Sequence, residues 1–228
     1  MKRSILYVHG KGGTADEADH YRSLCPGYEV FGLDYKGYTP WDTREEILAA
    51  YEDLARDGGR VSLIANSIGA FFAMDALQGK PMEAAFFVSP IVNMEKLILD
   101  MMVWAKVTQP RLQELGTVET NFGETLSWEY LCYVRSHPIH WTAPTWLLYA
   151  RKDYLTPFEE VEAFVRSTGA ALTVMENGEH WFHTPEQMAF LDRWLLSALD
   201  GKEKGCSCNA KSHDPLSVAC WGPGSCCF

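Results

Sequence analysis

The apolar positions of this chain fall into short continuous blocks separated by polar, helix-favouring stretches. Six blocks have the length of strands: Ile5 to Val8, Glu29 to Leu33, Val61 to Ala65, Ala84 to Val88, Thr145 to Ala150 and Ala171 to Met175. Most are nearly uninterrupted hydrophobics rather than alternating patterns, which predicts a parallel sheet covered on both faces. Helical patterns lie between them. Thr43-Arg44-Glu45-Glu46 has the form of a capping box, and Ile47, Leu48, Tyr51 and Leu54 follow at helical spacing. Thr156-Pro157-Phe158-Glu159 and Thr184-Pro185-Glu186-Gln187 repeat that form with proline at the first helical position. The second opens an amphipathic helix with Met188, Leu191, Trp194, Leu195 and Leu199 on one face. Strands alternating with helices predict an α/β architecture built from right-handed βαβ crossovers.

The stretch from Asn93 to Trp141 breaks the alternation. It carries no clear strand. Met94, Leu97, Ile98, Met101 and Met102 make one helical stripe, and Leu126, Tyr130, Tyr133 and Val134 make another. Such stripes are ordinary core for any single methionine, but an insertion of this length at a strand edge also suits a small helical lid whose apolar face lines a pocket. The expected organisation is therefore a core of residues 1–92 and 142–200 with a helical cap at 93–141. Beyond Asp200 the composition changes, and Cys206, Cys208, Cys220, Cys226 and Cys227 cluster there. Their spacing does not match zinc modules, so 201–228 is expected to be a disordered tail with no metal site. Cys25 and Cys132 stand alone in apolar surroundings and are expected as reduced core residues.

Composition narrows the partners. Apolar residues make up 47% and charged residues 22%, ordinary for a globular domain. The formal charge of -10 argues against a nucleic-acid surface and disfavours strongly anionic substrates. No apolar run reaches the ~18 residues of a membrane span. The basic start, Met1-Lys2-Arg3-Ser4, is followed by only Ile5 to Val8 before His9, short of a secretory apolar core of roughly 7 residues. A cytoplasmic protein acting on a small molecule is the expectation.

Candidate chemistry begins at Ala65-Asn66-Ser67-Ile68-Gly69, where a strand block runs into a serine flanked by small residues and then into a helix. That is the local pattern of a nucleophile elbow, written G-x-S-x-G, with alanine at its first position. A serine needs a base, and the base needs an orienting group. In an open α/β sheet both come from loops at the carboxyl ends of strands. Asp153 is the only acid in the loop after Thr145 to Ala150; a plain turn would also use it. The loop after Ala171 to Met175 holds His180 and His183. His180 is preferred because it sits mid-loop, within reach of a serine hydroxyl, whereas His183 adjoins the capping Thr184. After the first strand comes His9-Gly10-Lys11-Gly12-Gly13, whose glycines let backbone N–H groups approach a reacting oxygen. It matches neither a Walker loop nor G-x-G-x-x-G.

A Gly-rich H-G loop after an early strand, an elbow serine, then an acid and a histidine in that order resembles the α/β-hydrolase superfamily, in its serine esterase/lipase-like branch with a small helical cap. Asp34 in Asp34-Tyr35-Lys36-Gly37-Tyr38 resembles the family's turn after the second strand, departing at Tyr38. The resemblance implies Ser67 as nucleophile, His180 as general base and acid, and Asp153 as its orienting group. It also implies an oxyanion hole made by the backbone N–H groups of Lys11 and Ile68. Met94, Met101 and Trp181 are the expected pocket residues. The implied activity is carboxylesterase-like hydrolysis of a small or medium acyl ester, with no metal or organic cofactor. The same triad could serve a thioester, lysophospholipid, amide, peptide or carbon–carbon bond, and a non-catalytic binding protein could keep the fold.

Overall fold

The computed structural model describes residues 2–203. The Cys-rich tail expected from residue 201 lies outside the described residues beyond Glu203. Element order is β1 (Arg3–Val8), α1 (Ala18–Leu24), β2 (Glu29–Leu33), α2 (Pro40–Ala55), β3 (Arg60–Asn66), α3 (Ile68–Leu77) and β4 (Ala84–Val88). Then come α4 (Met94–Trp104), α5 (Gln109–Leu115), β5 (Thr117–Glu119), β6 (Thr125–Ser127) and α6 (Trp128–Ser136). The chain returns through β7 (Thr145–Ala150), α7 (Phe158–Thr168), β8 (Ala171–Met175) and α8 (Pro185–Glu203).

Six strands form one parallel sheet in the order β2-β1-β3-β4-β7-β8. Side chains alternate across it with the two-residue period of a strand. Leu6, Val8, Leu63, Ala65, Phe87, Leu147 and Tyr149 face the cluster that holds α2, α3 and α7. Ile5, Tyr7, Ile64, Phe86 and Leu148 face the cluster that holds α1 and α8. Both faces of β1, β3, β4 and β7 are thus buried, which is why these blocks are continuous hydrophobics in the sequence. The fold class is the expected one: a mostly parallel sheet flanked by helices.

Between β4 and β7, helices α4, α5 and α6 carry Met94, Leu97, Ile98, Met102, Leu112 and Leu131 into the same cluster as α2 and α3. Where the sequence offered no strand, Thr117–Glu119 and Thr125–Ser127 pair antiparallel as a hairpin. Each strand is three residues long and directs one partly or fully buried apolar residue inward, Val118 or Leu126, so no alternation develops that could be seen in sequence.

Three further expectations differ. Helix α2 starts at Pro40, with Thr39 as its N-cap accepting from the Asp42 N–H. Thr43 therefore lies one turn inside, its hydroxyl donating to the Thr39 carbonyl at 3.1 Å. Thr156 is buried and donates to the Pro90 carbonyl instead of capping α7. Cys132 is exposed on α6, whereas Cys25 is buried and burial pushes its thiol up to about 11. Among the described residues no helix is long and apolar enough to cross a membrane.

A buried carboxylate ties both α2 and the insertion to α3. Asp75, fully buried in α3, accepts from the Arg44 guanidinium of α2 at 2.9 Å and from the Tyr133 hydroxyl of α6 at 3.1 Å. Removing the cation leaves a buried carboxylate with only a phenol. Arg44→Met is expected to cost about 3 kcal/mol in urea denaturation at neutral pH, near the low end because Arg44 is partly exposed. The double variant Arg44→Met/Asp75→Leu should cost less than Arg44→Met alone. If it costs more, the pair is not what makes the single variant expensive.

Candidate active site

The elbow is built by crowding. Ser67 has φ 52 and ψ -124, a conformation that costs a non-glycine residue on the order of 1–3 kcal/mol. Its backbone is held on both sides. The Ser67 N–H donates to the Val88 carbonyl at 3.0 Å, and the Ser67 carbonyl accepts from Ile91 N–H at 3.0 Å. The exit of β4 thus fixes the serine. A Cβ at Gly69 would stand 2.2 Å from the His9 carbonyl oxygen, so α3 can meet the end of β1 only through glycine. Ala65 is tolerated because its Cβ points into the packed cluster beneath the sheet.

From this turn the Ser67 hydroxyl meets the imidazole of His180: Nε2 lies 2.8 Å from Oγ. His180 Nδ1 lies 2.7 Å from Asp153 Oδ2. The other carboxylate oxygen, Oδ1, accepts from the backbone N–H groups of Leu155 at 2.8 Å and Thr156 at 3.2 Å. An ionised carboxylate only accepts, so Nδ1 carries the proton and Nε2 offers its lone pair to the Ser67 O–H. Both side chains are buried, His180 at 3% and Asp153 at 0% exposure, which keeps water from competing for these bonds.

The loop that carries Asp153 is braced from below. Tyr149 donates to the Thr156 carbonyl at 2.8 Å, and Thr156 donates to Pro90 on the β4–α4 connection. Burial first, and the nearby Asp153 carboxylate second, push the Tyr149 phenol up to about 12, so it stays a neutral donor.

The Gly-rich loop lies against the elbow. A Cβ on Gly10 would come within 3.1 Å of the Ser67 Cβ. The loop closes through Gly13 N–H to the Gly10 carbonyl, and Tyr35 donates to the His9 carbonyl at 2.7 Å. The Lys11 ammonium turns away to Glu124 in the β5–β6 hairpin. Ile68 is the first residue of α3, so its N–H has no acceptor within the helix.

His183 is not brought to Ser67. Its Nδ1–H donates to the Trp181 carbonyl at 2.5 Å, and its Nε2 lies 3.9 Å from Glu179. A cavity of about 320 Å³ opens beside His180, lined by Lys152, Tyr154, Glu179, His180, Trp181 and His183. Trp181 is thus among the residues that line this cavity. Met94 is buried in the main cluster, Met101 is half-buried against it, and neither lines this cavity. Tyr154 and Lys152 were not singled out from sequence, although they flank Asp153 and so had to lie at the same strand end.

No family model matches the chain. A curated Mycoplasma genitalium protein whose name includes "esterase/lipase" is 29% identical over 103 residues, 40% of this chain and 37% of that protein. The match thus spans little more than a third of the relative's length. Among solved structures, mouse alpha/beta hydrolase domain-containing protein 10 is 16% identical with a TM-score of 0.68, over 86% of this chain and 89% of that one. Est1E from Butyrivibrio proteoclasticus is 15% identical with a TM-score of 0.66, over 89% and 88% of the two chains. Identity that low carries the fold alone, and over that much of each chain the fold is shared: this chain has the α/β-hydrolase fold.

Proposed function

We propose that the protein is a serine hydrolase that cleaves a small or medium acyl ester through an acyl-enzyme intermediate. The observation that carries this reading is the unbroken hydrogen-bond chain from Asp153 through His180 to Ser67. The name of the Mycoplasma genitalium relative, which includes "esterase/lipase", supports it.

In this mechanism Ser67 Oγ attacks the ester carbonyl while His180 Nε2 takes its proton. Asp153 stabilises the imidazolium and fixes its orientation without becoming protonated. The carbonyl oxygen gains negative charge and is held by the N–H groups of Ile68 and Lys11. Losing one such donor typically costs on the order of 10²-fold in rate or more. The bond from carbonyl carbon to alkoxy oxygen then breaks, and His180 gives its proton to the departing oxygen. Water, deprotonated by His180, hydrolyses the acyl-Ser67 ester and returns the site to its starting state.

A fluorophosphonate probe incubated with the purified protein should add one phosphonyl group, and peptide mass spectrometry should place it on Ser67. The protein should also hydrolyse p-nitrophenyl acetate. Labelling at another serine, or none together with no hydrolysis, would defeat the reading.

A further inference from the structure

The wall of the cavity beside His180 has a chemistry that the three central residues do not require. Tyr154 directly follows Asp153 and Trp181 directly follows His180, and each is 69% exposed. Single exposed aromatics are unremarkable. Two such residues on one cavity, next to the proposed base, are a different matter, because each presents a flat apolar face with little else to cover it. Around them stand three ionisable groups, Lys152, Glu179 and His183, with His183 Nε2 and Glu179 at a loose 3.9 Å.

This combination selects among alcohols. The cavity touches His180, the group that hands a proton to the departing oxygen, so it belongs to the alcohol side of the ester rather than the acyl side. An alkyl alcohol would lie beside Lys152 and Glu179 without using the hydrogen bonds they offer. An anionic alcohol is opposed by Glu179 and a cationic one by Lys152. A neutral ring with hydroxyls at its edge and C–H groups on its faces suits both kinds of wall. At about 320 Å³ the space is near the lower end of the roughly 300–1,000 Å³ typical of ligand pockets. That is room for one ring rather than a long chain.

We propose that this cavity is the leaving-group subsite and that it takes a neutral pyranose, which makes the substrate class an acylated sugar. The inference rests on the serine-hydrolase reading above and names the alcohol that reading leaves open. The ring lies against Trp181 and Tyr154, and its hydroxyls bond to Lys152, Glu179 and His183. In the first step the Ser67 Oγ–acyl carbon bond forms and the acyl carbon–sugar oxygen bond breaks. The proton taken from Ser67 leaves through His180 Nε2 on the sugar hydroxyl.

The test compares hydrolysis of three acetates by the protein: p-nitrophenyl acetate, a mono-O-acetyl methyl β-D-xylopyranoside, and cyclohexyl acetate, which has the same ring size without hydroxyls. The sugar acetate should exceed cyclohexyl acetate in kcat/KM by at least about tenfold. Trp181→Ala and Glu179→Gln should each reduce that ratio about tenfold, mainly through KM for the sugar ester. Hydrolysis of p-nitrophenyl acetate with no preference for the sugar ester, or a preference untouched by both variants, overturns the subsite alone. No hydrolysis of any of the three overturns the serine-hydrolase reading and the subsite with it.

Discussion

Ser67→Ala should lower kcat for p-nitrophenyl acetate by on the order of 10⁶-fold and abolish fluorophosphonate labelling. The magnitude follows from what remains. The variant keeps His180, Asp153 and the N–H groups proposed to hold the carbonyl oxygen, and such a remnant typically retains about 10³–10⁴-fold over water. It loses the covalent route itself, because no other hydroxyl lies on the hydrogen-bond chain. Folding should be almost unaffected. The Ser67 side chain contributes one hydrogen bond, to His180, worth about 1 kcal/mol. The positive φ at this position is imposed by its backbone bonds to Val88 and Ile91, which alanine keeps. A urea midpoint close to wild type with activity gone is therefore the expected pair of results. Retained turnover in a well-purified variant would remove Ser67 from the mechanism.

The second large effect is Asp153→Asn, expected to lower kcat about 10⁴-fold with the fold intact. Its logic is a tautomer. Oδ1 of Asp153 accepts from two backbone N–H groups, Leu155 and Thr156. An asparagine has one acceptor oxygen, and those two donors hold it where Oδ1 is now. The amide NH₂ must then face His180 Nδ1, which can accept from it only by giving up its own proton. The proton moves to Nε2, and a protonated Nε2 cannot accept from the Ser67 O–H. The side chain at 153 is fully buried, so water cannot enter to relieve the mismatch. Crystals of the variant should show unchanged positions for all three side chains. Activity within tenfold of wild type would mean that Asp153 does not control the imidazole.

The contrast between these residues and the rest of the molecule shows what a sequence can disclose. The six sheet strands are legible because each inner strand is buried on both faces, which forces an unbroken apolar block. The loops that hold Asp153 and His180 follow from those blocks, since each begins where a strand stops. His180 and not His183 meets Ser67, in keeping with its mid-loop place. What sequence hides has local causes. The β5–β6 hairpin has only three residues per strand and too few buried positions to generate a period. Thr43 has a capping-box neighbourhood, but Pro40 sets the backbone three residues earlier and starts the helix there. Thr156 looks like a cap until the Pro90 carbonyl, distant in sequence, is seen to need its hydroxyl. Cys132 lies in an apolar stretch but on the outer side of α6, a matter of helical phase that a single residue cannot reveal.

Among the described residues, the cavity beside His180 is lined by the two loops that carry Asp153 and His180. Divergence among descendants of this chain is therefore channelled. Lengthening or shortening either loop would draw Asp153 or His180 away from the hydrogen-bond chain to Ser67, whereas exchanging Lys152, Tyr154, Glu179, Trp181 or His183 leaves the backbone where it is. On the proposed reading, new leaving groups would be acquired here by point substitution at fixed loop length.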